Sequence, residues 1–267
     1  MEGRWIEVAD RVLVRRYTEL DLSVGLVMGD GGCLVVDTRG DERQGAELAA
    51  EVRRITRDPW TVVITHSHFD HSFGTRPFLD CPVWAQEGCR ADLIADGAGT
   101  KEAWARRYRQ EGRADIADDI AKTEIVLPDR LVTDRAELTV GGREIVMAYF
   151  GRGHSSNDLV VHVPDAGVVF AGDLVENGAP PAYGDAYPLE WPAAVAGLLG
   201  LAGEGTVVPG HGDPMDRRSV TAQHADITAV AGLCREVAAG RMSVPEAVRL
   251  SPYPEDTIRA ALQRPAG

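Results

Sequence analysis

Three histidines and one aspartate occur within the stretch THSHFDHSFG, residues 65–74, directly after the apolar run TVVIT. The chain has only seven histidines, so this stretch concentrates a residue type that binds transition metals and exchanges protons near neutral pH. Residues two apart just past a strand can point to the same side, which lets His66 and His68 share one ion. Asp70 and His71, on the turn that follows, are free to face a second ion. The stretch therefore predicts a loop that serves two metal sites.

Three later segments each end an apolar run with a potential ligand. GRGHSSND contains His154, VVFAGDLV contains Asp173, and VVPGHGD contains His211. Small residues precede each ligand, and glycine lets a backbone pass close to a site. A lone histidine after a strand is more often a surface or core residue than a ligand, so the joint pattern carries the prediction. His162, within an alternating strand, and His224, within a polar helix, are left out of the site.

Hydrophobic periodicity predicts the elements that position these residues. Strand patterns precede an amphipathic helix at 45–55 and a strand that ends at the first histidines, while residues 87–121 are mostly helical. Strands return from residue 130, and the helix 192–201 precedes a short strand at 206–210. Two runs of strands, each followed by helix, favour one domain over residues 1–267, with two sheets packed face to face, helices outside, and further helices from about residue 214.

Composition narrows the partner classes. The chain has 267 residues, 44% of them hydrophobic and 26% charged, with a formal net charge of -13. No stretch combines dense Lys or Arg with aromatic residues, which argues against nucleic acid and anionic membranes as partners. The start lacks the pattern of a secretory signal, and no apolar stretch approaches the roughly 20 residues of a membrane span. We therefore expect a cytoplasmic protein with a small-molecule substrate, and we assign the four scattered cysteines no chemistry.

In order and in local wording, THSHFDH, GRGHSSND, AGDLV and PGHGD resemble the metallo-β-lactamase superfamily. The resemblance spans roughly residues 10 to 215. It implies an α/β (α+β) fold, the four-layer αββα sandwich, with the metals in a cleft at the sheet edges.

The resemblance also implies a ligand set. It assigns to the first metal His66, His68 and His154. It assigns to the second metal Asp70, His71 and His211. Asp173 would bridge the two ions together with a water or hydroxide, and Asp37 would support the metal loop from behind.

These ligands suit a hydrolytic centre. Imidazole and carboxylate without thiolate fit two Zn²⁺ ions, with Fe or Mn as alternatives. A hydroxide between two such ions would attack a small ester, thioester, lactone or amide. Asp70 would also accept a hydrogen bond from that water or transfer its proton, and Asn157 would either donate to a developing oxyanion or simply stabilise a turn.

The substrate is less sharply predicted. Residues 154–213 resemble class B β-lactamases, but those enzymes have a cysteine where this chain has Asp173 and a carboxylate-binding lysine where it has Glu176. Hydrolysis of β-lactams is therefore the alternative, and the Asp173 pattern matches glyoxalase II-like thioesterases and lactonases. The loop 176–192, with Tyr183, Tyr187 and Trp191, predicts either an aromatic substrate wall or an ordinary covering loop.

A non-hydrolytic class shares these histidines. A mononuclear iron persulfide dioxygenase would retain much the same ligands, whereas diiron reductases usually have a glutamate at the position of His68 and carry a flavin domain. A binding protein without activity is disfavoured because no ligand is missing. The sequence predicts no particular oligomeric state.

Overall fold

Two β-sheets packed face to face form the centre of the fold. The structure is a computed structural model and describes residues 3–264. The first sheet has seven strands in chain order, antiparallel from β1 to β4 and parallel from β4 to β7. Its strands are β1 (Gly3–Ala9), β2 (Val12–Tyr17), β3 (Ser23–Met28), β4 (Cys33–Val36), β5 (Trp60–Val63), β6 (Val83–Gln86) and β7 (Arg130–Val132).

The second sheet has five strands in the order β12-β11-β10-β9-β8. Strands β8 to β11 are antiparallel, and β11 and β12 are parallel. The strands are β8 (Arg135–Val140), β9 (Arg143–Tyr149), β10 (Leu159–Val163), β11 (Val168–Gly172) and β12 (Thr206–Pro209). Each sheet thus includes parallel strands whose carboxyl ends can meet at one edge.

Helices cover the outer face of each sheet. On the first sheet lie α1 (Glu42–Ile55), α2 (Phe69–Ser72), α3 (Glu87–Gln110) and α4 (Ala114–Lys122). On the second lie α5 (Trp191–Ala202), α6 (Arg217–Ala238), α7 (Val244–Leu250) and α8 (Glu255–Leu262). None of the helices in residues 3–264 is both long enough and apolar enough to cross a membrane.

Three apolar clusters hold the layers together. The central cluster joins Val14 and Val63 of the first sheet to Met147 and Phe170 of the second. The second cluster packs the outer face of the first sheet against α1, α3 and α4, and the third packs the second sheet against α5, α6 and α8. Since the inner strands of each sheet are buried on both faces, they are nearly continuous apolar runs such as CLVV. The predicted αββα order of layers is confirmed.

Two local differences from the sequence patterns have physical causes. Strand β1 was not predicted, because it is a half-exposed edge strand with charged residues that blur its alternation. Helix α1 begins at Glu42, three residues before the predicted start, since the Asp41 side chain accepts the Gln44 backbone N–H at 2.7 Å and caps the helix.

Candidate metal centre and its cavity

The predicted ligands meet at one edge of the two sheets because each follows the end of a strand. His66 comes after β5, His154 after β9, Asp173 directly after β11, and His211 after β12. Strands β11 and β12 are parallel neighbours, which brings the residues that follow them to the same edge. The structure therefore brings together all seven predicted ligands, although they are spread over 146 positions of the chain.

The first group of ligands comprises His66, His68, His154 and Asp173, each offering one atom within 4.8 Å of the others. The His154 Nε2 lies 2.9 Å from His68 Nδ1 and 3.4 Å from Asp173 Oδ2. The His66 Nε2 lies 3.7 Å from the same carboxylate oxygen. Four donor atoms thus surround one small volume.

The second group comprises Asp70, His71 and His211, again within 4.8 Å of one another. The His71 Nε2 lies 3.3 Å from His211 Nε2, and Asp70 Oδ2 lies 3.4 Å from His211 Nε2. Asp173 reaches this group too, because its oxygens lie 3.3 Å from the Nε2 atoms of both His71 and His211. One carboxylate therefore lies between the two groups.

The spacing and burial of these atoms fit metal ions. Two ligands bound at about 2.0–2.1 Å to one tetrahedral ion lie about 3.3 Å apart, which is close to the separations found here. The His66 Nε2 is buried and has no hydrogen-bond partner among residues 3–264. A buried nitrogen without a partner is costly, and a cation would satisfy it.

Asp37 supports the loop in the way that the resemblance implies. Its Oδ1 accepts the Thr65 backbone N–H at 2.8 Å, and its Oδ2 accepts the Thr65 hydroxyl at 2.8 Å. The same Oδ2 lies 2.8 Å from His71 Nδ1, which turns the Nε2 of that ring towards the second group. His211 is oriented similarly, because its Nδ1 donates to the Leu20 carbonyl at 2.7 Å.

A glycine makes room for this arrangement. A Cβ placed on Gly210 would lie 1.9 Å from Asp173 Oδ1 and 2.9 Å from the His71 ring. No other residue type fits there without moving the carboxylate between the two groups.

The charges around the centre act on one another. Burial lowers the pKa of His66 and of His154. Burial also opposes the charged form of His71, but the nearby Asp173, Asp70 and Asp37 carboxylates outweigh it and raise the pKa of His71 to about 9. Burial likewise opposes ionisation of Asp173, yet the surrounding histidines hold its pKa well below the usual range. Asp173 is therefore a carboxylate near neutral pH.

One residue that contacts a ligand, Asp185, was not predicted from the sequence. An oxygen of Asp185 lies 2.8 Å from His68 Nε2, the nitrogen on the far side of the ring from the first group. The two residues are 117 positions apart, so no local spacing could pair them. A carboxylate on the second nitrogen of a ligand histidine fixes the orientation of the ring.

The position of Asn157 does not match that of a hydrogen-bond donor to a substrate oxyanion. It is fully buried, and its side-chain oxygen accepts the Ser67 backbone N–H at 3.0 Å. Its amide nitrogen donates to Asp92 at 2.8 Å and to Ser156 at 3.0 Å. These bonds place it behind the histidine loop, and it is absent from the cavity lining. The turn-stabilising alternative fits this geometry.

A cavity of about 650 Å³ opens above the ligands. Its lining includes the apolar residues Leu20, Phe69 and Trp104 and several residues of the loop after β11. Of the two alternatives for that loop, the geometry fits the ordinary covering loop and not the aromatic wall. Tyr183 and Trp191 are 2% and 0% exposed and belong to the core beneath the loop.

Tyr187 is also absent from the cavity lining, and its ring lies under the Arg152 guanidinium. The loop instead presents small and polar residues to the cavity, namely Glu176, Asn177, Gly178, Ala179, Ala182, Gly184 and Asp185. His162 and His224 lie away from the ligands, as expected; His162 is in β10, and His224 Nε2 donates to the Pro192 carbonyl at 3.0 Å.

Glu176 is the one buried acid of the loop that faces the cavity. Its backbone N–H donates to Gln223 Oε1 at 2.9 Å, and the Gln223 amide donates back to its carbonyl at 2.8 Å. Its Oε1 accepts the Ala182 N–H at 3.3 Å. Burial, followed by the charge of Asp173, raises the pKa of Glu176 to about 8.

Comparison with known proteins places the chain among metal-dependent hydrolases. A "Metallo-beta-lactamase type 2" of Bacillus cereus is 28% identical over 201 residues, which cover 73% of this chain and 69% of that protein. An "Acyl-coenzyme A thioesterase MBLAC2" of Gallus gallus is 26% identical over 165 residues, covering 59% of this chain and 58% of the relative.

Solved structures share the fold at low identity. A metallo-β-lactamase from Pontibacter korlensis superposes with a TM-score of 0.67 at 18% identity, covering 85% of this chain and 99% of the other. An inverting sec-alkylsulfatase from Pseudomonas sp. gives a TM-score of 0.78 at 18% identity, covering 99% of this chain and 50% of the other. The family model of the metallo-β-lactamase superfamily matches residues 17–218. The chain is an enzyme of the metallo-hydrolase type and belongs to the metallo-β-lactamase superfamily.

Proposed function

We propose that this chain uses a dinuclear metal centre to hydrolyse a small ester, thioester, lactone or amide. The first ion would be held by His66, His68 and His154, the second by Asp70, His71 and His211, with Asp173 shared. The observation that carries the proposal is the position of Asp173, whose oxygens lie 3.3 to 3.7 Å from ring nitrogens of both groups.

Zinc is our first choice for both ions. The donor set consists of five imidazoles and two carboxylates without a thiolate, which suits Zn²⁺ and also accepts Fe or Mn. When bound, two such ions lower the pKa of a water and polarise the oxygen of the scissile group.

The chain's own residues would then orient the reaction. Asp70 lines the cavity and is 8% exposed, so its carboxylate can accept a hydrogen bond or a proton from the attacking water. Asp37 and Asp185 fix the rings of His71 and His68, which keeps the ligands in place without a rearrangement during turnover. The enclosing loops reduce the access of bulk solvent to the reacting groups.

The relatives support an acyl bond as the target. One is named for a β-lactam and another for an acyl-CoA thioester, and both names denote hydrolysis at a carbonyl carbon. Cleavage of a β-lactam is the narrower candidate. It is less well supported, because a substrate carboxylate would find the acid Glu176 in the cavity.

A panel assay tests the proposal. Zinc-loaded untagged protein would be given p-nitrophenyl acetate, a thioester, a lactone, nitrocefin and bis(p-nitrophenyl) phosphate, with His68→Ala as the matched control. Turnover of the ester, thioester or lactone by the wild type, lost in the variant, would support the proposal. An inert panel together with oxygen-dependent consumption of a persulfide by iron-loaded protein would instead favour the dioxygenase alternative.

A further inference from the structure

Three large apolar residues line the cavity, namely Leu20, Phe69 and Trp104, and we name them the apolar wall. The rings of Phe69 and Trp104 are stacked, with centroids 4.2 Å apart and an interplanar angle of 30°. Phe69 is 3% exposed and belongs to the core, so the accessible apolar surface comes from Trp104, which is partly buried, and from Leu20, which is 39% exposed. An exposed apolar surface next to a reactive centre gains free energy when a substrate chain covers it.

Most charged side chains of the cavity already have a partner of opposite charge. Asp21 pairs with Arg16, and Arg107 pairs with Glu111 at 2.9 Å while lying over the Trp104 ring. Asp185 lies against His68. These groups therefore each have a partner within the protein before a substrate binds.

Glu176 is the exception. Its side chain lines the cavity, and no lysine or arginine of residues 3–264 forms an ion pair with it. Two hydrogen bonds with Gln223 hold its backbone, and the Ala182 N–H donates to its Oε1, which restrains the carboxyl. An anionic group placed beside it would lose hydration without gaining a lysine or arginine partner, and at a pH above about 8, where Glu176 is ionised, it would also be repelled by the carboxylate.

We infer that the cavity selects an apolar acyl substrate that carries no anionic group, with the acyl chain on the apolar wall and Glu176 as the residue that rejects anions. This inference deepens the proposed function and rests on it for the identity of the reaction. It also predicts that a substrate with a distal carboxylate, the common feature of β-lactam drugs and of many dicarboxylic esters, is a poor one.

Matched esters measure this selectivity. The p-nitrophenyl esters of hexanoic acid and of adipic acid, the second with one free carboxylate, have the same number of acyl carbons. All rates in this comparison and in its variants are measured at about pH 9, where Glu176 is ionised. We expect the neutral ester to have a kcat/KM at least about tenfold higher than the anionic one, and the hexanoate to exceed the acetate by about tenfold. Equal rates, or a preference for the anionic ester, would overturn the inference.

Substitutions test which residues cause the preference for neutral and for longer esters. Glu176→Gln should narrow the ratio between the neutral and anionic esters, and Glu176→Lys should narrow it further by about tenfold or more. Glu102→Lys, which makes the same charge change on an exposed position of α3 outside this cavity, should leave the ratio as in the wild type. Trp104→Ala should reduce the preference for hexanoate over acetate. An anion preference that disappears in Arg107→Ala would show that Arg107 acts as a free cation, and would contradict the inference.

Binding separates this inference from the proposed hydrolysis. If no ester is turned over, the proposed function fails, and the cavity is tested by calorimetric titration of hexanamide and of the monoamide of adipic acid. Tighter binding of hexanamide, with the difference reduced in Glu176→Lys, would still support the selectivity. Equal binding of the two amides, or binding of neither, would overturn it.

Discussion

The floor and the walls of the cavity are built in different ways. The floor consists of ligand side chains that follow strand ends and are tied down by neighbours such as Asp37 and Asp185. The walls consist of one stacked aromatic pair and a loop of small residues. The floor therefore has one arrangement that suits metal ions, whereas the walls can change residue by residue. We therefore expect the ligands of the floor to determine the reaction type and the residues of the walls to determine which substrate binds.

The largest expected effect comes from removing a ligand of the floor. His68→Ala or Asp173→Ala should lower kcat/KM by about a thousandfold or more, because the loss of one donor empties or unbalances the pair of ions. Steady-state kinetics and metal content measured on the same preparations check this. His162→Ala, a change in β10 away from the ligands, is the control and should keep both values. Near wild-type rates in the ligand variants would show that these ligands are not required for the reaction.

A glycine beside the floor should be the next most sensitive position. Gly210→Ala puts a methyl group 1.9 Å from Asp173 Oδ1, so the carboxylate must move away from one of the two groups. We expect roughly a 100-fold loss of kcat/KM with a loss of metal content. The matched control is Gly200→Ala in α5, where a Cβ meets nothing within 4 Å. If both alanine variants kept two ions and full activity, the tight fit at Gly210 would have no functional meaning.

Substitution of a residue that orients a ligand should have a smaller effect than substitution of a ligand itself. Asp37→Asn weakens the contact to His71 Nδ1, and we expect a 10- to 100-fold loss of affinity for the second metal. Competition with a fluorescent zinc chelator would measure the two affinities. The exposed Asp165→Asn is the control. An equal loss of affinity for both ions, or a loss for neither, would show that Asp37 does not act through His71.

Asn157 distinguishes a positioning role from contact with the substrate. Because its amide holds Ser67, Ser156 and Asp92, Asn157→Ala should reduce the thermal stability and the metal affinity together, with a loss of about 1–3 kcal/mol in unfolding free energy. Calorimetry and metal titration check this. A variant with wild-type stability and metal content but a much lower kcat would instead restore the oxyanion role.

Most residues of the floor could be predicted from the sequence. The ligands come from short motifs at the ends of apolar strands, so local spacing and strand order predicted which residues meet. Asp185 was missed because its contact with His68 joins positions 117 apart through a loop of irregular structure.

The walls could not be predicted in the same way. Tyr183 and Trp191 were candidates for an aromatic wall, but the free energy gained by burying such large rings places them in the core against α5 and α6. Trp104 was visible in the sequence as part of a helix, yet nothing local showed that its ring stacks on Phe69 at the cavity. Which face of a helix meets a cavity is decided by tertiary packing. The extent of the domain, residues 1–267, stays a prediction.

The dinuclear centre is tested by the metal content of the wild-type chain, measured by inductively coupled plasma mass spectrometry beside His154→Ala and His211→Ala. We expect about two divalent ions per chain for the wild type, zinc being our first choice, and fewer ions in each variant, because each histidine would serve a different ion. One ion per chain in the wild type, lost in His154→Ala and retained in His211→Ala, would contradict the dinuclear centre.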